Sequence, residues 1–436
     1  MTTPSPLADL LAIELDDRVK GLPPGVAPFP LGSIGRQGWR VLDGDLPLPA
    51  ALLKDRTLAH NGDWMRRFLA AGGAKLAPHG KTTMSPQLFH RQIADGAWAI
   101  TLATAHQVAV AHRYGIRRVV LANQLVGRAA IAGILDLLRR DPGFDFHCLA
   151  DSVANVEALA AASRAAGLER PIKLLLEGGY VGGRTGVRTL ADGLAVARAV
   201  AAAGPSLLLV GVEGFEGIIA GSDDVDTETK VAGFVDFLVS LAAAAAAENL
   251  FAPGPLLLSA GGSAFYDLVV ERFAAARLGR PVEIVIRSGC YLTHDSITYR
   301  VAFRRLLERS AAARRLGDGL QPALELWAYV QSRPEPTRAI MGFGKRDCTY
   351  DAGLPVPLSW HRPGAATPPQ AVGAGYSVVA VNDQHGYLDL PADAPLQVGD
   401  MMGFGIAHPC LTFDKWQLLP IVDDDYRVID AIRTFF

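Results

Sequence analysis

The sequence predicts a closed (β/α)8 barrel followed by a smaller, mainly β domain, and three observations carry that expectation. From about residue 55 to 290, short β-branched or apolar runs alternate with longer Ala/Leu/Arg-rich segments of helical period, the pattern of a parallel sheet covered by helices. Eight such runs fall in this stretch, and a closed barrel needs eight strand-helix units over roughly 250 residues. After about residue 320 the helical period gives way to alternating runs separated by Pro and Gly.

In chain order, the expected barrel strands are Leu76–Lys81, Trp98–Thr104, Arg118–Ala122, Asp145–Asp151, Ile172–Gly178, Leu207–Glu213, Leu256–Gly261 and Val282–Ser288, with a helix after each of the first seven. A further helix is expected over Ser296–Leu316. The runs Leu324–Gln331, Thr337–Gly342, Gly375–Val381 and Val428–Ile432 then read as strands of the β domain. The Pro-rich stretch Pro355–Pro369 reads as a long loop within that domain. Residues 1–54, rich in Pro and Gly, suggest irregular wrapping that packs on the β domain. The expected units are therefore an N-terminal segment (1–54), a barrel (55–320) and a β domain (321–436).

Composition narrows the function. Half the residues are hydrophobic, a fifth are charged and the formal net charge is −2, the profile of a globular protein with a large core. Basic and acidic residues are interspersed, so no nucleic-acid partner is expected. The run Leu241–Ala247 ends in Glu248-Asn249 and reads as a buried helix, so no membrane association is expected. Acidic residues at Asp9, Glu14, Asp16 and Asp17, with no secretory pattern, lead to a cytoplasmic expectation. Cys148, Cys290, Cys348 and Cys410 form no CxxC pair, which suits a reducing compartment.

The C-terminal ends of the expected strands carry the polar residues, and in such barrels that face holds the active site. Lys81, at the end of the first strand, is placed where its neutral amine could condense with an aldehyde as a Schiff base. Ser259-Ala260-Gly261-Gly262-Ser263 follows the seventh strand and precedes a helix, where free N–H groups and the helix dipole suit a phosphate. His408 and Cys410, two apart, would share one face of an extended strand, where imidazole and thiolate can bind a metal, zinc best of all.

The string Pro78-His79-Gly80-Lys81-Thr82 resembles the lysine motif of the D-serine dehydratase and D-threonine aldolase group of pyridoxal enzymes, which share the alanine-racemase-like barrel. Arg184 in Gly183-Arg184-Thr185-Gly186 is similar to that family's mid-barrel Arg-x-Gly, and Arg287-Ser288-Gly289-Cys290-Tyr291 resembles its Arg-x-Gly-x-Tyr. Asp383-Gln384-His385-Gly386 and His408-Pro409-Cys410 follow in the family order, with Gln384 where the family has Glu. The resemblance implies pyridoxal 5′-phosphate (PLP) on Lys81, with Arg184 at its phenolic oxygen. It assigns Gly261, Gly262, Ser263, Gly289 and Cys290 to its phosphate, and Tyr291 to a cofactor or substrate contact or to the core. His79 would orient the ring or pack, His385 would handle a proton, and a divalent metal, Zn2+ by its thiolate ligand, would sit on His408 and Cys410.

Cysteine at 410 is the dehydratase choice and aspartate the aldolase choice, so the resemblance implies loss of water and ammonia from a small D-3-hydroxy amino acid such as D-serine. The alternatives are retro-aldol cleavage to glycine and an aldehyde, or a non-catalytic PLP-binding protein. A racemase is disfavoured, having no use for the metal pair. The family also implies a homodimer.

Overall fold

Eight parallel strands form one curled sheet in the computed structural model, which describes residues 5–436. They are Lys75–Leu76, Ile100–Leu102, Arg118–Gln124, Asp145–Ala150, Ile172–Gly178, Leu207–Gly214, Leu256–Ala260 and Val282–Ile286. Sequential strands are neighbours from the second to the eighth, and the eighth pairs with the first through Val285↔Lys75 and Ile286↔Leu76. Trp98 N–H donates to Leu76 O at 2.7 Å and Thr101 N–H to Pro78 O at 2.9 Å, closing the ring between the first and second strands.

Inside the ring, Ala77, Ala99, Val120, Leu149, Leu175, Leu257 and Val285 pack together. The barrel is thus filled, and chemistry is left to its strand ends. Barrel helices begin where side chains satisfy their first free N–H groups: Thr104, Ser152, Thr189 and Asp223 accept from Gln107, Asn155, Asp192 and Asp226. The helix Asp224–Ala247 is long and apolar enough to cross a bilayer by length and composition. Its Val231, Phe234, Val235, Leu238, Leu241, Ala242 and Ala245 are instead buried in the protein.

Three local expectations need correction. The first strand stops at Leu76 rather than reaching Lys81, because Pro78 has no N–H to donate and Gly80–Thr82 forms a 3-10 turn. Gly80 is required there, since a Cβ would lie 2.7 Å from the Phe89 ring. The helix expected over Ser296–Leu316 is two, Thr298–Arg309 and Ala311–Arg314, separated at Ser310, which is extended and caps the second through Ala313 N–H. Six residues of the loop expected at Pro355–Pro369 form a strand, Val356–His361, paired with Met401–Gly405; a register shift between Pro357 and Ser359 accommodates the proline.

The second sheet is built on the long strand Leu324–Glu335, which pairs antiparallel with Met401–Gly405, Arg338–Met341 and Ala50–Lys54. Ala50–Lys54 also runs parallel to Leu418–Val422, so the N-terminal segment supplies a strand to this sheet. Leu10, Leu15, Leu22, Leu31 and Ile34 pack with Trp327, Leu418 and Val428 in a separate core beneath it. Residues 1–4 of that segment lie outside the described residues.

Candidate active site

At the C-terminal ends of the barrel strands a cavity of about 80 Å³ is lined by Lys81, Asn123, Glu177, Arg184, Glu213 and Arg287, with His79, Phe215 and Gly262 among its walls. A larger groove of about 550 Å³ lies on the outside of the barrel between Arg128–Arg140 and Val153–Ala165. That groove is lined mainly by Ile131, Ala132, Leu135, Ala162 and Leu168, so the smaller cavity is the chemical one.

Lys81 stands on the turn after the first strand, its side chain open to the cavity. Desolvation lowers its pKa from the usual lysine value; Arg184 and Arg287 push the same way, and Cys410 and Cys290 oppose them. The shift makes the ammonium easier to deprotonate than an exposed lysine's. Arg184 reaches the cavity from the loop after the fifth strand, its guanidinium 4.5 Å from the centre of the Phe215 ring.

Two acids that the sequence places at the strand ends without assigning them a role line the cavity. Glu213 is buried with its Oε2 2.6 Å from Arg287 Nη2, although the contact lacks hydrogen-bond geometry and leaves Oε2 and Arg287 Nε without partners. Burial outweighs the guanidinium and pushes the Glu213 carboxyl up to about 8. Glu177 is raised by burial too, and accepts from Thr185 Oγ1 at 2.6 Å and from the Gln124 amide. His79 is driven well below its usual value, chiefly by burial, and its Nδ1 has no partner. The only signal for the acids was position, since Glu177 and Glu213 both stand at strand ends.

The glycine loop after the seventh strand differs from expectation. The N–H groups of Gly261 and Gly262 donate to the carboxylate of buried Glu216, at 3.1 and 2.7 Å, so these two amides are already satisfied. Glu216 comes from the loop after the sixth strand and was not legible as a partner. Ser263 Oγ instead faces Ser288 Oγ at 3.1 Å and accepts from Cys290 N–H at 3.3 Å. Gly289 packs on the Lys81 turn so closely that a Cβ would lie 2.5 Å from His79 O. Tyr291 is buried away from Lys81, in a second cavity with Gly62, Met65, Gln92 and Asp95.

His408 and Cys410 do not lie on a strand. Pro409 takes a helical conformation and Cys410–Phe413 is a short helix. Cys410 Sγ nevertheless lies 3.3 Å from Thr82 Oγ1, beside Lys81, and 3.9 Å from Cys290 Sγ. His408 Nδ1 is 3.2 Å from Asp351 Oδ2. Its imidazole is raised to about 9, first by Cys410 and then by Asp351, while the Cys410 thiol is held well below its usual value by Cys290 and His408. Among the described residues no three His, Cys, Asp or Glu side chains already converge as a metal cage. His385 is exposed at the turn before Gly386–Asp389 and does not line the Lys81 cavity.

Residues 323–422 match a family model described as "Putative serine dehydratase domain". The fold is that of the D-threonine aldolase from Filomicrobium marinum, with a TM-score of 0.72, 21% identity and 91% of this chain and 96% of that one covered. It is also that of the D-threo-3-hydroxyaspartate dehydratase from Delftia sp. HT23, at 0.70, 22%, 91% and 99%. An ala racemase-like protein from Idiomarina loihiensis aligns at 0.66, 15%, 89% and 96%. No curated protein matches. The resemblance first seen in the order of the motifs therefore holds at two levels, a matched C-terminal domain and a shared alanine-racemase-like fold.

Proposed function

We propose that the protein is a PLP- and metal-dependent lyase that eliminates water from a small D-3-hydroxy amino acid such as D-serine, the released enamine then taking up water to give a 2-oxo acid and ammonia. One observation carries this reading: the Lys81 cavity and the His408–Cys410 corner adjoin through Thr82, whose Oγ1 lies 3.3 Å from Cys410 Sγ.

The residues fit both groups. His79 Nδ1 and Arg287 Nε are buried polar atoms at the cavity with no hydrogen-bond partner among the described residues, suited to a ring with polar edges. Lys81 Nζ would carry PLP, Arg184 would take its anionic ring oxygen, and Ser263, Ser288 and the backbone at Gly289 are placed for a phosphate. An imidazole beside a thiol suits zinc. PLP supplies an electron sink, and the metal supplies Lewis acidity toward a hydroxyl leaving group.

The chain's own residues do the rest. With its pKa lowered, Lys81 can take a proton from the substrate Cα at Nζ and pass it to the departing hydroxyl oxygen, which leaves as water. The cation of Arg184 and the buried Arg287 offer positive charge to a substrate carboxylate or cofactor oxygen at the mouth and floor respectively. In the same reading the enzyme is a cytoplasmic homodimer without nucleic-acid or membrane partners, which light scattering on the purified protein tests for assembly.

The deciding experiment incubates PLP-loaded protein with D-serine and D-threonine, with and without chelator, and assays 2-oxo acid, ammonia and glycine. Chelator-sensitive 2-oxo acid with ammonia is expected. Glycine with an aldehyde moves the reading to aldol cleavage, and no product from either substrate overturns it.

A further inference from the structure

We propose that Cys290 is a third protein ligand, which makes the metal centre a two-thiolate, one-imidazole site bridging the barrel and the β domain. The inference rests on the metal-dependent reading above, which requires only His408 and Cys410.

Two sulfurs bound tetrahedrally to one zinc, each at about 2.3 Å, stand about 3.8 Å apart. Cys290 and Cys410 hold their sulfurs 3.9 Å apart although they are 120 residues distant in the chain. Cys290 follows the eighth barrel strand, fixed by its N–H on Ser263 Oγ, and Cys410 opens a helix of the β domain. Thr82 Oγ1 touches both, at 3.8 Å from Cys290 Sγ and 3.3 Å from Cys410 Sγ.

The third donor is prepared from the other side. Asp351 Oδ2 takes His408 Nδ1, which leaves Nε2 for the metal, and Thr349 Oγ1 holds Asp351 Oδ1 at 2.6 Å. A carboxylate behind the imidazole is the usual way a ligating histidine is oriented. Three protein ligands and one open position are the pattern of catalytic zinc, whereas two ligands fall short of it. Two thiolates also neutralise a dication and favour zinc over manganese or magnesium.

X-ray absorption at the zinc edge of the wild-type, PLP-loaded protein tests this without a substitution: two sulfur scatterers at about 2.3 Å are expected. One sulfur overturns the inference and leaves the His408–Cys410 reading standing; no zinc uptake overturns both. In cobalt-substituted protein, C290S and C290T are each expected to lose about half of the thiolate-to-metal charge-transfer intensity. Full intensity in both, with loss in C410S, counts against Cys290. Circular dichroism melts of the metal-free variants separate loss of a ligand from loss of the fold.

Discussion

Arg287 Nη2 lies 2.6 Å from Glu213 Oε2 beneath the Lys81 cavity, with both side chains buried, and joins the eighth strand's end to the sixth. Burial moves the Glu213 carboxyl from its ordinary 4.5 to about 8, against the pull of Arg287. Between those values the folded protein keeps a proton that the unfolded chain releases. The stability contributed by this group is therefore fully present below the unfolded value and is lost as pH rises through the folded one. Because E213Q is neutral throughout, urea midpoints of the wild type are expected to fall relative to E213Q between about pH 5 and pH 8. A wild-type advantage that grows with pH would mean an ionised carboxylate held by Arg287.

Lys81 is open to the cavity on a turn whose position is set by Gly80 and Gly289. Borohydride reduction of the PLP-loaded protein followed by peptide mass spectrometry is expected to place the pyridoxyl group on Lys81. K81A should lose activity by on the order of a thousandfold or more while its urea midpoint stays close to the wild type's. A pyridoxyl group on another lysine would remove Lys81 from the centre of the reading.

The order of the barrel strands was legible because each is a short apolar run between helical segments, and periodicity reports such runs directly. Its polar ends were legible for the same reason, which placed Lys81 and Arg287 at one face, whereas Arg184 came only from the resemblance. What escaped were pairings made across the fold. Glu216 reaches the amides of Gly261 and Gly262 from another loop, and Cys290 meets Cys410 from another sheet. The strand reading of His408 and Cys410 failed at Pro409, whose helical backbone turns the chain. Spacing could not show that Tyr291 points into a different cavity, because one residue's direction after a strand depends on the turn that follows.

Glu216 is buried and holds the amides of Gly261 and Gly262 with one carboxyl group. In E216A both amides lose their acceptor, an expected cost of roughly 1–3 kcal/mol for each one left without water or protein. E216Q keeps one acceptor oxygen and should lose less. Urea melts of the three proteins at one pH check the order. Equal stabilities would mean that solvent replaces the carboxylate, and that the loop is open to a phosphate after all.

Asp351 touches the candidate metal centre only through His408 Nδ1, at 3.2 Å. If it orients that ring, D351N should weaken zinc binding by about 10- to 100-fold without removing a ligand. Competition with a chromophoric chelator reads this directly, and activity at saturating zinc should recover. Unchanged zinc affinity would reduce the contact to a surface pair.

Gly289 tests whether the eighth strand and the Lys81 turn form one rigid unit. A Cβ there would lie 2.5 Å from His79 O and 2.9 Å from His79 Cβ, so the backbone rather than a flexible side chain must give way. Overpacking of this kind costs roughly 1–3 kcal/mol, and the displaced turn carries Lys81. G289A is therefore expected to lower the urea midpoint and to lose PLP on desalting faster than the wild type. Gly133, in the helix Arg128–Arg140, has nothing within 4 Å of its Cβ position, so G133A should be neutral or slightly stabilising by the helix preference for alanine. If G289A holds PLP as well as G133A does, the contact with His79 constrains packing alone and the cofactor lysine is positioned from elsewhere.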